Sequence, residues 1–147
     1  MKRIKDKINE INSYIEELKS IAPSTLEEYK SSILKKAACE RYVEKIVESI
    51  TDLAFLVIKT GNLRIPEDDV DAFKILLENN IIESDLAVKL KNAKGMRNII
   101  SHQYGKIADE VVYESIANEL IEDSEKFIKE IEKWLNTKSK NQQKFKL

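Results

Sequence analysis

With 42% hydrophobic and 35% charged residues but only three glycines and two prolines, a chain of 147 residues suits one domain of long amphipathic helices and excludes a turn-rich β-sandwich. Its 25 Lys and Arg almost cancel 26 Asp and Glu, which excludes a whole-molecule attraction to nucleic acid or an anionic membrane and makes any phosphate site local. The single cysteine, Cys39, excludes an internal disulfide and, with only one histidine beside it, an ordinary Cys/His zinc centre; no metal or cofactor is expected, and a reducing cytoplasm is the natural setting.

The first ten residues, MKRIKDKINE, interleave charge with isoleucine and hold no apolar signal-peptide core, and the longest purely apolar run in the chain is Leu53 to Ile58, too short to span a membrane. From Ile4 through Ile8, Ile11, Ile15 and Leu18, apolar residues recur at steps of four and three, which predicts a long amphipathic helix ended by Pro23. Ser24, with Glu27 three positions on, reads as a capping box opening a second helix that runs to Lys59 and stops at Gly61-Asn62. The linker Asn62 to Pro66 leads to a short helix, Glu67 to Asn79, closed by the Asn79-Asn80 turn. A fourth helix follows from Ser84 to Gln103, ended by Gly105, and a last long one from Asp109 to Asn136 carries Val112, Ile116, Leu120, Phe127, Ile131 and Leu135 as its stripe. Residues 1–136 are thus expected to form an antiparallel up-and-down four-helix bundle with a short extra helix, and 137–147 a polar, basic, flexible tail.

The fourth helix breaks the pattern. At about 100° per residue, Leu86, Leu90, Ala93, Arg97, Ile100 and Tyr104 share one sector about 80° wide, so a guanidinium sits in the middle of a core stripe. Such a charge requires an ion pair, a wet cleft or an anionic ligand. Roughly opposite lie Lys91, Gly95, Asn98 and His102, flanked by Val88 and Ile99, and Gly95 suits a place where another backbone comes close. The helix therefore reads as covered on two sides, one by its own bundle and one by a partner subunit.

His102, the only histidine, titrates near neutral pH, and its place in the last helical turn favours the protonated ring. Asn98, four residues earlier, lies alongside it, and Arg97 suits bidentate binding of a phosphate. These groups fit RNA cleavage without a metal: a base takes the ribose 2′-hydroxyl proton, the oxygen attacks the neighbouring phosphate, an acid protonates the leaving 5′-oxygen and a cation stabilises the added charge. Two proton-transfer groups are needed and one chain has a single histidine, so the scheme calls for a homodimer that brings both copies of Arg97 and His102 to a shared groove. Residues five apart point about 140° from each other. Either the Arg97 side chain curls round the helix, or its last turn is distorted before Gly105, or the working pair forms between subunits.

Plainer readings stand beside these. His102 also suits a helix C-terminus, Arg97 an internal ion pair with a glutamate such as Glu48 or Glu119, Tyr104 a packed aromatic, and lysines 89, 91 and 94 a solvated face.

The run from Arg97 and Asn98 to His102 and Tyr104, within R-N-I-I-S-H-Q-Y, resembles the R-x4-H-x-Y signature of the HepT branch of the HEPN superfamily, and the likeness extends over most of the chain, including the long last helix after K-I-A-D-E-V-V-Y. The resemblance implies a HEPN-like fold and a metal-independent, dimeric endoribonuclease toxin with its RNA groove at the subunit interface. It implies that Arg97 and His102 are catalytic and that Asn98 and Ser101 support them or bind RNA phosphates. It further implies a minimal nucleotidyltransferase antitoxin as partner, with Tyr104 as acceptor of the AMP it transfers. Adenylates there would bring negative phosphates into a groove meant for RNA. The alternative is a non-catalytic dimeric scaffold or binding module for the same partner.

Overall fold

A computed structural model describes residues 1–102 and 109–144. Among them the regular structure is all helical, in seven helices: α1 Lys2–Ile21, α2 Leu26–Ser31, α3 Ile33–Thr60, α4 Asp69–Glu78, α5 Ser84–His102, α6 Asp109–Asn118 and α7 Leu120–Lys144. Side-chain pairs give the directions. Lys7 meets Asp52 at 3.6 Å and the Tyr42 hydroxyl donates to Glu17 at 2.6 Å, so α1 and α3 run antiparallel. Arg97 meets Glu48 and Ser101 meets Glu44, which sets α5 antiparallel to α3. Lys19 reaches Glu125 at 3.3 Å, placing the start of α7 beside the end of α1. The four long helices α1, α3, α5 and α7 are thus an up-and-down bundle, as the apolar periodicity predicts, with α4 as the short extra helix.

The α1 stripe Ile4, Ile8, Ile11, Ile15 and Leu18 is buried, against a core from α3, α4 and α7 that includes Ile46, Ile50, Leu53, Phe73 and Phe127. At about 25 cal/mol per Å² of apolar surface removed from water, this shared core is the main force fixing the helix directions.

Several boundaries differ from the sequence reading. The second helix breaks at Ser32, whose backbone is extended (φ −121°, ψ 109°) and whose hydroxyl accepts the Lys35 N–H at 3.2 Å, capping α3 anew. The break turns α2 aside, so that Tyr29 is fully buried beside Tyr113 with ring centres 6.0 Å apart. The cap of α2 is Thr25, not Ser24: Thr25 Oγ1 accepts from Glu28 N at 3.1 Å while the Glu28 carboxylate accepts from Ser24 N at 3.1 Å, the reciprocal box shifted by one residue.

The last helix is interrupted at Glu119, and α7 continues past Asn136 to Lys144. Thr137 donates back to the Lys133 carbonyl at 3.0 Å, and Lys138 caps the α3 end through Thr60 O at 3.3 Å while lying 5.2 Å from the Trp134 ring centre. Gly61 does end α3, but the left-handed residue is Asn62 (φ 53°). What Gly61 supplies is room, since a Cβ there would lie 3.2 Å from Trp134 Cζ2 and 3.3 Å from the Val57 carbonyl oxygen.

Candidate functional site

Helix α5 opens with Asp85 in its first turn and buries Leu86, Leu90 and Ile100 in the bundle, with Ala93 and Met96 half-buried against the core. Arg97 lies on this stripe and is half-buried, its side chain 23% exposed. One Nη lies 2.6 Å from Glu48 Oε1 on α3, the other donates to Asn98 Oδ1 at 3.3 Å, and Nε is buried with no hydrogen-bond partner among the described residues. Of the two glutamates weighed as ion-pair partners from the sequence, the fold selects Glu48.

Ser101 Oγ donates to Glu44 Oε2 at 3.3 Å, and Arg41 lies 3.7 Å from the same oxygen. His102 is exposed at the last residue of α5. Tyr104, the residue expected to accept AMP, and Gly105 lie outside the described residues.

Around an ideal helix, Ser101 projects about 40°, Asn98 about 100° and His102 about 140° from Arg97, so the four form one continuous polar arc. Because the guanidinium reaches Asn98, the second residue from the far edge of that arc, the Arg97 side chain curls partway towards the His102 side.

The sequence reading named Glu48 only as a candidate ion-pair partner and missed the acidic row it belongs to. Glu40, Glu44 and Glu48 recur every fourth residue of α3 and are all half-buried. Like charges at that spacing oppose helix formation unless something compensates them, and this was the available signal. Arg97 compensates Glu48, while Arg41 and Ser101 serve Glu44. Burial raises the Glu40 carboxyl above the ordinary carboxylate value, with nearby Lys36 pulling the other way and Asp109 and Glu44 adding to the rise.

The lysines of α5 are only in part a solvated face. Lys94, 13% exposed, pairs with Asp69 of α4 at 2.7 Å, and Lys89 approaches Asp123 at 3.7 Å; Lys91 is exposed. On the side turned from the bundle, Val88 and Ile99 are 57% and 41% exposed, and a Cβ at Gly95 would meet nothing within 4 Å among the described residues. Among the described residues the bundle therefore covers one side of α5 and leaves the Val88–Gly95–Ile99 stripe open.

Residues 11–131 match the family model described as "Ribonuclease HepT-like". The chain is 33% identical over 86 residues to the mRNA nuclease HepT of Shewanella oneidensis, an alignment covering 58% of this chain and 64% of that protein, just under two thirds of the relative's length. It is 24% identical over 114 residues, 78% of each chain, to the tRNA nuclease HepT of Aphanizomenon flos-aquae. Its fold superposes with a TM-score of 0.81 on a tri-AMPylated HEPN toxin from Shewanella oneidensis in complex with an MNT antitoxin, at 27% identity over 88% of this chain and 96% of that one. Neither the arginine on the core stripe nor the all-helical bundle alone would assign a family, but with a family model spanning 121 of 147 residues they do, and the chain belongs to the HepT-like ribonuclease family of HEPN proteins.

Proposed function

We propose that this protein is a metal-independent endoribonuclease toxin that cuts RNA at a composite site formed by two copies of the chain. The observation that carries the reading is the polar arc at the end of α5, where Arg97, Ser101, Asn98 and His102 stand together at the edge of the bundle in a HepT-like chain. One His102 takes the 2′-hydroxyl proton, the His102 of the second copy protonates the leaving 5′-oxygen, and Arg97 stabilises charge on the phosphate. Asn98 and Ser101 hold phosphate oxygens or the groups that aim at them. The substrate class is RNA, since the two named relatives act on mRNA and on tRNA.

The regulator is a nucleotidyltransferase antitoxin that transfers AMP to Tyr104, a reading supported by the AMPylated state and MNT partner of the similar Shewanella toxin. Among the described residues no helix is long and apolar enough to cross a membrane, and the one buried free thiol, Cys39, suits a reducing cytoplasm as the place of action.

The test is to incubate unmodified protein with tRNA and mRNA in EDTA. Wild type is expected to cut, and Arg97→Ala and His102→Ala to lose activity by roughly 100-fold or more, the usual worth of a proton-transfer group or a transition-state cation. Intact RNA after incubation with wild type, or equal cutting by the variants, would overturn the enzyme reading. The Glu48–Arg97 ion pair favours a second reading, a non-catalytic scaffold for the same partner in which Arg97 is simply a structural cation. That reading predicts RNA or antitoxin binding with no cleavage from any preparation.

A further inference from the structure

A long arginine side chain on a helix has no fixed direction of its own, and loosely held charge contributes little to a transition state. Arg97 is held at both ends of its fork, by Glu48 Oε1 at 2.6 Å and by Asn98 Oδ1 at 3.3 Å. Glu48 belongs to a different helix, so the direction of the guanidinium is set by the α3–α5 packing and not by α5 alone. The lower rung of the same ladder, Ser101 to Glu44, lies one turn along both helices and keeps them in this register.

We propose that Glu48 is the positioning residue of the site: its carboxylate draws one Nη towards α3 and leaves the other turned to Asn98, which swings the cation round α5 towards His102. The inference rests on the ribonuclease reading above. It also bears on the 140° divergence of Arg97 and His102, because the bridged conformation carries the cation partway round the helix, as far as Asn98.

The competing role, neutralising a half-buried cation, predicts the opposite sign. Glu48 is 43% exposed beside a groove meant for polyanions. If it only balances charge, replacing it with the neutral isostere frees Arg97 and removes repulsion, so RNA binds more tightly and is cut at least as fast. If it aims Arg97, the same change misplaces the cation and lowers the chemical step.

The experiment measures kcat and KM on a fluorescent RNA oligonucleotide for wild type, Glu48→Gln, Glu48→Asp, Glu48→Ala, Arg97→Ala and the double variant Arg97→Ala/Glu48→Ala, with melting temperatures recorded alongside. We expect kcat to fall about 10- to 100-fold for Glu48→Ala and Glu48→Gln with KM unchanged or lower, and Glu48→Asp to recover part of the loss. The double variant should be no slower than Arg97→Ala, since a group acting through Arg97 has nothing left to position.

Active wild type with unimpaired Glu48→Gln, or a further loss of the same size in the Arg97→Ala background, overturns the proposal. Inactive wild type overturns the ribonuclease reading instead. The pairing is then read from the Arg97 guanidinium 15N–1H signals, which must shift in Glu48→Gln; unmoved signals overturn the positioning role on their own.

Discussion

Arg64 shows how one side chain can organise a loop that has no core of its own. Its guanidinium takes both carboxylate oxygens of Asp71 at 2.7 and 2.8 Å and both of Glu78 at 3.2 Å, fastening the α3–α4 linker to both ends of α4. The Arg64 hydrogen bonds, with the Glu67 backbone N–H at 2.9 Å, hold the Asp71 carboxyl at about 2 against its ordinary 3.8. Folded Asp71 thus gives up its proton more readily than unfolded Asp71, so its contribution to stability is complete above the ordinary value and is lost as pH falls through about 2. In urea titrations, the wild-type midpoint is therefore expected to drop more steeply with acid over that interval than the midpoint of Asp71→Asn. Parallel slopes would show that the clamp does not couple folding to this proton.

At the scale of helices, α5 has apolar residues on two sides, and the described residues of its own chain cover one of them. Val88 and Ile99 are exposed along one stripe, and between them Gly95 stands with open space where a Cβ would be. An interior glycine costs a helix about 1 kcal/mol relative to alanine, and nothing among the described residues requires that cost. Gly95→Ala should therefore raise the unfolding free energy of the dilute single chain by about 1 kcal/mol. If a second copy packs its backbone against this stripe, the same change must weaken dimerisation, which sedimentation would read as a higher dissociation constant. Unchanged dimerisation would remove this face from the interface.

Much at this scale was legible in the sequence. The isoleucine spacing of α1 named its buried face residue by residue, because a continuous amphipathic stripe has one way to meet a core. The break at Ser32 was not legible, since Ile33 and Leu34 prolong the apolar pattern yet are 86% and 83% exposed, and only the local cap and the burial of Tyr29 reveal the turn. The oddity of Arg97 was visible from α5 alone. Its partner was not, because choosing Glu48 over Glu119 depends on the register between two helices 49 residues apart in the chain, which no local periodicity encodes.

For the whole molecule, the decisive number is one histidine per chain. A net charge of −1 gives RNA no general reason to bind, so the proposed activity would have to come from the local arrangement of α5 ends, and acid and base catalysis together would call for a second imidazole. On the proposed ribonuclease reading a two-fold groove would supply it, which would make activity a property of pairs. Wild type mixed with His102→Ala and allowed to exchange subunits at random should cut in proportion to the square of the wild-type fraction, about a quarter of full activity for an equal mixture, because only dimers with both imidazoles work. If each chain worked alone, the same mixture would retain about half. Doubly tagged mixed dimers separate the cases without assuming random exchange: they should be as inactive as the pure variant, and half-active mixed dimers would rule out the shared groove while leaving the fold and the family untouched.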